Sequence, residues 1–229
     1  GGSPFEVVTP MTGEVVATLA ASTTTDVQDA YATARAAQPA WASTAIAERA
    51  AILWDYHDRV LSGQSQLLDV VQLESGKARV QAFEEVADVA IVARHYARTA
   101  ARSLRPRRRA GLYPILSQSV EARVPKGVVG IVSPWNYPLS LSITDTLPAL
   151  MAGNAVVLRP DPQGSLTALL AVELLRAAGL PREVLQVVLG AVVVGAAVVE
   201  RADYVCFTGS TATGRRVAQE AGARLVGAS

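Results

Sequence analysis

A single cysteine, Cys206, stands among the 229 residues, so no internal disulfide can form and a reducing, cytoplasmic setting is expected. Histidine is almost as scarce: there are two, His57 and His95, and with Cys206 far from both in sequence no metal site is expected. His57 falls on the apolar stripe of a helical pattern and reads as a hydrogen-bonded core residue, whereas His95, beside Arg94 and Arg98, reads as solvated. No stretch stays apolar long enough to span a bilayer, and residues 1–10 show no basic flank leading into an apolar run. The net charge of +1 supplies no global field for capturing nucleic acid or an anionic membrane. The one basic cluster, Arg102, Arg105, Arg107, Arg108 and Arg109, is interrupted by Pro106 and followed by Gly111, which makes it a solvated connection between elements. No G-x-S-x-G element supports a serine hydrolase. Internal repeats and low-complexity tracts are absent as well.

What the chain does have is apolar content, 50% hydrophobic residues against 18% charged, enough to bury a large core. Apolar pairs on either side of Thr12-Gly13 predict a short β-hairpin over 5–19 turned at that glycine. Thr25 with Gln28 forms a capping-box pattern, and the helix it opens is expected to close near Pro39. From Ile46 a second helix places Ala50, Leu53, Trp54, Val60 and Leu61 at helical spacing and stops at Gly63. A third helix spans 65–75 and stops at Gly76. A fourth spans about 80–104, with Phe83, Val86, Ala87 and Ala90 expected on its core face. The segment 117–124 alternates, with Ser119, Glu121 and Arg123 on one side and Val120, Ala122 and Val124 on the other, which predicts a half-exposed strand.

From Gly127 the period changes. Apolar runs at 128–132, 155–158, 184–188 and 204–207 read as buried strands, and the stretches 139–151, 166–178, 192–200 and 212–221 read as helices between them. Strand and helix alternating in this way demand right-handed crossovers and a parallel sheet. The expected fold is therefore α/β: a Rossmann-like parallel sheet with flanking helices, preceded by a helical region and a protruding β arm.

In such a sheet ligands bind beyond the carboxyl ends of the strands, where helix N-termini present unpaired N–H groups. That rule selects the loops 133–138, 159–162, 189–195 and 208–214. In the first, two prolines bracket Asn136, whose amide either donates to a developing oxyanion or caps the following helix. The fourth, Thr208-Gly209-Ser210-Thr211-Ala212-Thr213-Gly214, suits a phosphate on backbone amides. It is not a P-loop, because Arg215 and Arg216 stand where lysine and a hydroxyl should follow Gly214. The dinucleotide pattern G-x-G-x-x-G is also missing, since the third loop offers only Gly190 and Gly195.

Three stretches together, Pro134-Trp135-Asn136-Tyr137-Pro138, Gly153-Asn154-Ala155-Val156-Val157-Leu158-Arg159-Pro160, and Phe207 through Thr208-Gly209-Ser210 to Arg215, resemble the aldehyde dehydrogenase superfamily in order and spacing. Among its members the chain is most similar to succinate-semialdehyde dehydrogenases. The resemblance implies oxidation of an aldehyde to the acid with NADP or NAD, a cysteine thiolate attacking the aldehyde. It makes Asn136 an oxyanion donor, sets Trp135 and Thr208 on the nicotinamide side, and brings the pyrophosphate to Gly209 and Ser210. Arg159 falls where the family has a lysine near the adenosine ribose, and an arginine keeps the charge with a different hydrogen-bond geometry. The implied cofactor-binding set is Val132, Ser133, Pro134, Trp135, Arg159, Gly190, Gly195, Phe207, Thr208, Gly209 and Ser210. Residues 1–229 would form an NAD(P)-binding domain: hairpin and helices over 1–104, an oligomerisation-arm strand over 112–126, and a Rossmann-like core over 127–229. A homodimer or homotetramer is implied for the intact protein.

The departures matter as much. The family's general-base glutamate and nucleophilic cysteine are expected C-terminal to residue 229. Cys206, inside the apolar run 204–207 with no base beside it, reads as a buried structural thiol, so the chain is expected to be inactive alone. The competing reading is a non-catalytic nucleotide-binding or assembly module. Thr144 and Asp145 stand where semialdehyde-using members carry basic residues, and the loop after Val188 is shorter than the family's glycine-rich turn. Finally, Pro162 replaces the glutamate that accepts the ribose 2′-hydroxyl in NAD-preferring members, so nothing at that position repels a 2′-phosphate. NADP is predicted to be tolerated or preferred, and equal or tighter binding of NAD in titration calorimetry would count against the reading of Pro162.

Overall fold

The apolar runs that break the helical period do become the centre of a parallel sheet. The computed structural model describes residues 1–113 and 117–229. Strands β5 (Val128–Val132), β6 (Ala155–Arg159), β7 (Leu185–Val187), β8 (Tyr204–Phe207) and β9 (Gly227–Ala228) pair in parallel in the order β7-β6-β5-β8-β9. Every residue of β5 and β6 is buried, which is why both read as unbroken apolar runs rather than as alternating ones. β9, a Gly-Ala pair, has no branched or aromatic residue to announce it and was not expected.

Helices α5 (Ser140–Ile143), α6 (Thr146–Met151), α7 (Ser165–Ala177), α8 (Val192–Arg201) and α9 (Thr211–Ala223) connect the strands. The single helix expected over 139–151 is two. Pro148 lies in the first turn of α6, where a backbone N–H has no intrahelical partner and its loss costs little. The chain runs from β5 outward through β6 to β7, and α8 then carries it back to β8 on the other side of β5. A crevice therefore opens at the carboxyl end of β5.

Ahead of the sheet, β1 (Pro4–Val8) and β2 (Val15–Ala20) form the expected hairpin, with Gly13 at φ +79°. Helix α1 (Thr24–Ser43) departs from expectation at both ends. Its cap is Thr23, extended at φ −87° and ψ 171°, and its capping partner is Asp26, not Thr25 with Gln28. The Thr23 amide donates to Asp26 Oδ2 at 2.7 Å, and the Asp26 amide donates to Thr23 Oγ1 at 3.1 Å. Pro39 lies inside the helix. A proline there costs about 3 kcal/mol, and the last turn beyond it is held by Trp41, 4% exposed, whose indole N–H donates to the Leu150 carbonyl at 2.9 Å.

Helices α2 (Ile46–Ser62), α3 (Gln64–Ser75) and α4 (Arg79–Leu104) complete the helical layer, separated at Gly63 and at Gly76, whose φ is +69°. The buried stripe of α4 is Ala82, Glu85, Val86, Val89, Ala90, Ala93 and Ala100. Phe83 lies beside this stripe and is 49% exposed, against expectation, while Ala87 is half-buried. His57 is half-buried at the rim, with Nδ1 2.8 Å from Asp58 Oδ1, rather than within the core. His95 is exposed, as expected. Arg49 is buried and donates to the carbonyls of Trp41, Ala42, Thr44 and Met151, tying the α1–α2 turn to the end of α6.

The arginine cluster is not a bare connection. Arg107–Ala110 forms β3, antiparallel to β4 (Gln118–Glu121), and Arg109 pairs with Glu121 at 2.5 Å. The alternation over 117–124 thus yields a shorter strand, and both strands stay almost wholly exposed. Of the expected arm 112–126, residues 114–116 lie outside the described residues. Among the described residues no helix is long and apolar enough to cross a membrane.

Candidate functional site

Three of the four selected loops are laced together by their backbones at the carboxyl edge of the sheet. The Thr208 amide donates to the Val132 carbonyl at 3.1 Å, and the Ser133 amide donates to the Arg159 carbonyl at 3.2 Å. Ser133 Oγ lies 2.7 Å from Ser142 Oγ, both buried, which fixes the point where the chain leaves β5. The chain then emerges at Trp135, Asn136 and Tyr137, all exposed.

On the other wall, α9 starts from Ser210, whose Oγ accepts from the Thr213 amide at 3.3 Å. The backbone of Gly209 lies against the ring of Phe207, and a Cβ on this residue would stand 2.5 Å from Phe207 Cζ. A flat, side-chain-free approach to the N-terminus of a helix of this length leaves N–H groups for an anion.

These walls enclose a cavity of about 900 Å³. Of the expected residues, Val132, Ser133, Pro134, Trp135, Arg159, Gly195, Phe207, Thr208, Gly209 and Ser210 line it. Two do not. Asn136 sits on the loop just beyond Trp135, with no hydrogen bond from its side chain among the described residues. Gly190, at φ +143°, packs toward Val194 and meets the site only through its carbonyl, which accepts from Arg159 Nε at 2.8 Å.

Arg159 is 8% exposed, and burial lowers its pKa, opposed by Asp161, whose Oδ2 lies 3.9 Å from Nη1. Among the described residues only one of its donors is committed at close range, which leaves the guanidinium able to meet an anion in the cavity. Asp161 itself lines the cavity, as do Val192, Val193 and Arg216, and none of these was singled out from sequence. Val192 and Val193, at the start of α8, are 81% and 69% exposed and give the cavity an apolar wall. Asp161, Val192 and Val193 lie in the loops 159–162 and 189–195 selected from the sheet rule, and helical spacing on α9 was the signal that could have found Arg216. Among the described residues no group of His, Cys, Asp and Glu side chains could hold a metal ion.

Cys206 alternates with the fully buried Val205, so it points to the opposite face of β8 and is half-buried rather than enclosed. Burial raises its pKa, Asp145 adds to the rise, and the Ser229 hydroxyl, 3.7 Å from Sγ, opposes it. It does not line the cavity.

Comparison with known proteins agrees with this geometry. The family model described as the aldehyde dehydrogenase family matches residues 1–229. A putative succinate-semialdehyde dehydrogenase (NADP+) of Mycolicibacterium smegmatis is 51% identical over 98% of this chain and 43% of its own length. A vanillin dehydrogenase of an Amycolatopsis species is 37% identical over 98% of this chain and 46% of its own. Among solved structures, an NADP-dependent glyceraldehyde-3-phosphate dehydrogenase from Bacillus halodurans, complexed with NADP, superposes with a TM-score of 0.93 at 32% identity, covering 99% of this chain and 48% of that one. An NAD-dependent benzaldehyde dehydrogenase from Corynebacterium glutamicum gives 0.92 at 31%, covering 99% and 50%. The chain thus spans just under half the length of the curated relatives it matches.

A raised thiol pKa lowers the thiolate fraction that reacts. Cys206 is expected to be alkylated by iodoacetamide more slowly than glutathione at pH 8, followed by mass spectrometry, and Cys206→Ser is expected to leave NADP binding unchanged. Faster alkylation than glutathione would contradict the assignment of Cys206 as a structural thiol.

Proposed function

The chain belongs to the aldehyde dehydrogenase family, and from that premise we propose that its crevice binds NADP, or NAD less tightly, for the oxidation of an aldehyde to the carboxylic acid. The observation that carries this reading is the meeting of the β5, β6 and β8 loops around one cavity, with the N-terminus of α9 and a buried arginine on its walls. A dinucleotide fits such walls. Gly209 is exposed, with the Phe207 ring standing where a Cβ would go, so its backbone is open to a phosphate, and Gly195 stands against Arg159, 3.9 Å from where its Cβ would be. When bound, the cofactor supplies the acceptor for hydride from the aldehyde carbon.

The residues divide the work. Backbone amides at Gly209 and Ser210 hold the pyrophosphate, and Val192 and Val193 cover the adenine face. Trp135 and Thr208 border the nicotinamide, and the Asn136 amide donates to the oxygen of the aldehyde as negative charge builds there. Arg159 lies on the ribose side. Its guanidinium favours a 2′-phosphate, and the neighbouring Asp161 is in part committed, accepting from the Gln163 amide at 3.1 Å. Pro162 and the NADP named for the Mycolicibacterium relative support the same preference. Succinate semialdehyde is the proposed substrate on the similarity to that relative, although Thr144 and Asp145 offer no cation for its carboxylate.

Cys206, the only cysteine in the chain, does not perform the nucleophilic attack, so these residues bind the cofactor without turnover by themselves. In the intact enzyme the β3–β4 hairpin, exposed on both strands, pairs protomers into a dimer or tetramer. The cofactor-binding unit comprises residues 1–229.

Ser210→Asp tests the phosphate cradle cleanly. Aspartate caps a helix as well as serine does, so stability should stay within about 1 kcal/mol. A like charge close to the pyrophosphate costs about 1 to 4 kcal/mol, so the Kd for NADP is expected to rise about fivefold or more in titration calorimetry. An unchanged Kd in a folded variant would place the phosphates elsewhere.

A further inference from the structure

The loop that carries Asn136 leaves the sheet after Ser133 and makes no strand pairing, yet its backbone is pinned on both sides by groups from the helical layer. Lys77 Nζ donates to the Asn136 carbonyl at 2.8 Å and to Glu85 Oε1 at 2.5 Å. The same ammonium lies 4.2 Å from the centre of the Tyr137 ring, a cation–π distance. The other oxygen of Glu85 accepts from the amides of Leu139 at 2.9 Å and Ser140 at 3.0 Å, the N-terminus of α5. One ion pair, with side chains 12% and 0% exposed, therefore grips the segment from Asn136 to Ser140 by a carbonyl, a ring and two amides.

The approach of Lys77 is itself fixed. It follows the left-handed Gly76 that ends α3, where any Cβ would stand 2.9 Å from Pro10 Cγ. A buried ion pair is a weak source of net stability, because desolvation offsets much of its attraction. Its value here is geometric. With the Asn136 carbonyl drawn toward Lys77, the orientation of that residue's peptide is set, and its amide side chain remains free of other partners among the described residues. A group that stabilises developing charge must be held before the charge appears.

We infer that Lys77 and Glu85 are positioning residues, acting through Asn136: they hold the Trp135-Asn136-Tyr137 loop in the conformation that presents the Asn136 amide. The inference rests on the oxyanion role proposed for Asn136.

The test compares Lys77→Met, Glu85→Gln, Asn136→Ala and the Lys77→Met/Asn136→Ala pair. Hydrogen exchange by mass spectrometry on the chain is expected to show faster exchange in the peptide containing Leu139 and Ser140 in Lys77→Met and Glu85→Gln, with β6 still protected. NADP affinity is expected to stay within about threefold, because the cradle at Gly209 and Ser210 is untouched. In the chain, or in the longer protein that contains it if turnover requires one, Lys77→Met is expected to lower kcat by about tenfold to a hundredfold. The double variant should then be no slower than Asn136→Ala alone. Exchange that stays slow at Leu139 and Ser140, or protection lost throughout β6, overturns the inference. So does a double variant whose losses multiply. If Asn136→Ala leaves kcat unchanged, the oxyanion role fails and the inference falls with it, while the exchange result separately reports whether the loop is held.

Discussion

The arrangement depends on one topological constraint, the reversal of strand order at β5. This strand is buried along its whole length and flanked by β6 on one side and β8 on the other, so the connections leaving it must diverge. Where they diverge, a cavity remains at the carboxyl edge. The hydrogen bonds from Thr208 to Val132 and from Ser133 to Arg159 are the continuation of the two ladders by one residue each. They carry the regularity of the sheet into the loops, which is how an open crevice acquires fixed walls.

The helical layer supplies the second half of the construction. Two buried glutamates reach from it to helices that follow the central strands: Glu85 to the start of α5, and Glu74, 1% exposed, to the start of α7, where it accepts from the Leu166 and Thr167 amides at 2.7 Å each. Burial pushes the Glu74 pKa up, and its hydrogen bonds from Thr167 and Leu166 pull it back down. Each carboxylate satisfies N–H groups that the helix cannot satisfy itself and meets the positive end of its dipole. The helices read from sequence as packing material therefore also set the geometry of the loops on the functional edge.

The sheet was the most legible part. β5 and β8 have the expected bounds because strands buried on both faces show unbroken apolar runs between turn signals, and Gly13, Gly63 and Gly76 mark turns and stops where they were expected. Local signals failed where tertiary packing decided the outcome. Trp41 is buried beyond Pro39, so the helix continues through a residue that ordinarily ends it. Thr23 outcompetes Thr25 as the cap because only the residue before the helix adopts an extended backbone. Phe83 shares its helix with a stripe of alanines and valines that faces the core in its place. On the site, the motif-bearing loops were readable, and their common location followed from the rule for parallel sheets. Arg216 and the exposed valines of α8 were not, because they enter the cavity through helix orientation, and Asp161 lies in a selected loop without belonging to any motif. The Lys77–Glu85 grip joins α4 and the turn before it to a loop more than fifty residues away, and nothing local announces it.

The central claim is that the crevice at the β5 reversal holds the cofactor. Chemical-shift mapping of backbone amides during titration of the chain with NADP tests it most directly. The largest changes should cluster at Ser133 and Trp135, at the start of α8, and at Thr208 to Thr211, with β1, β2 and the exposed face of α4 unaffected. Changes centred on any other surface, or none at millimolar NADP with the fold intact, would contradict it.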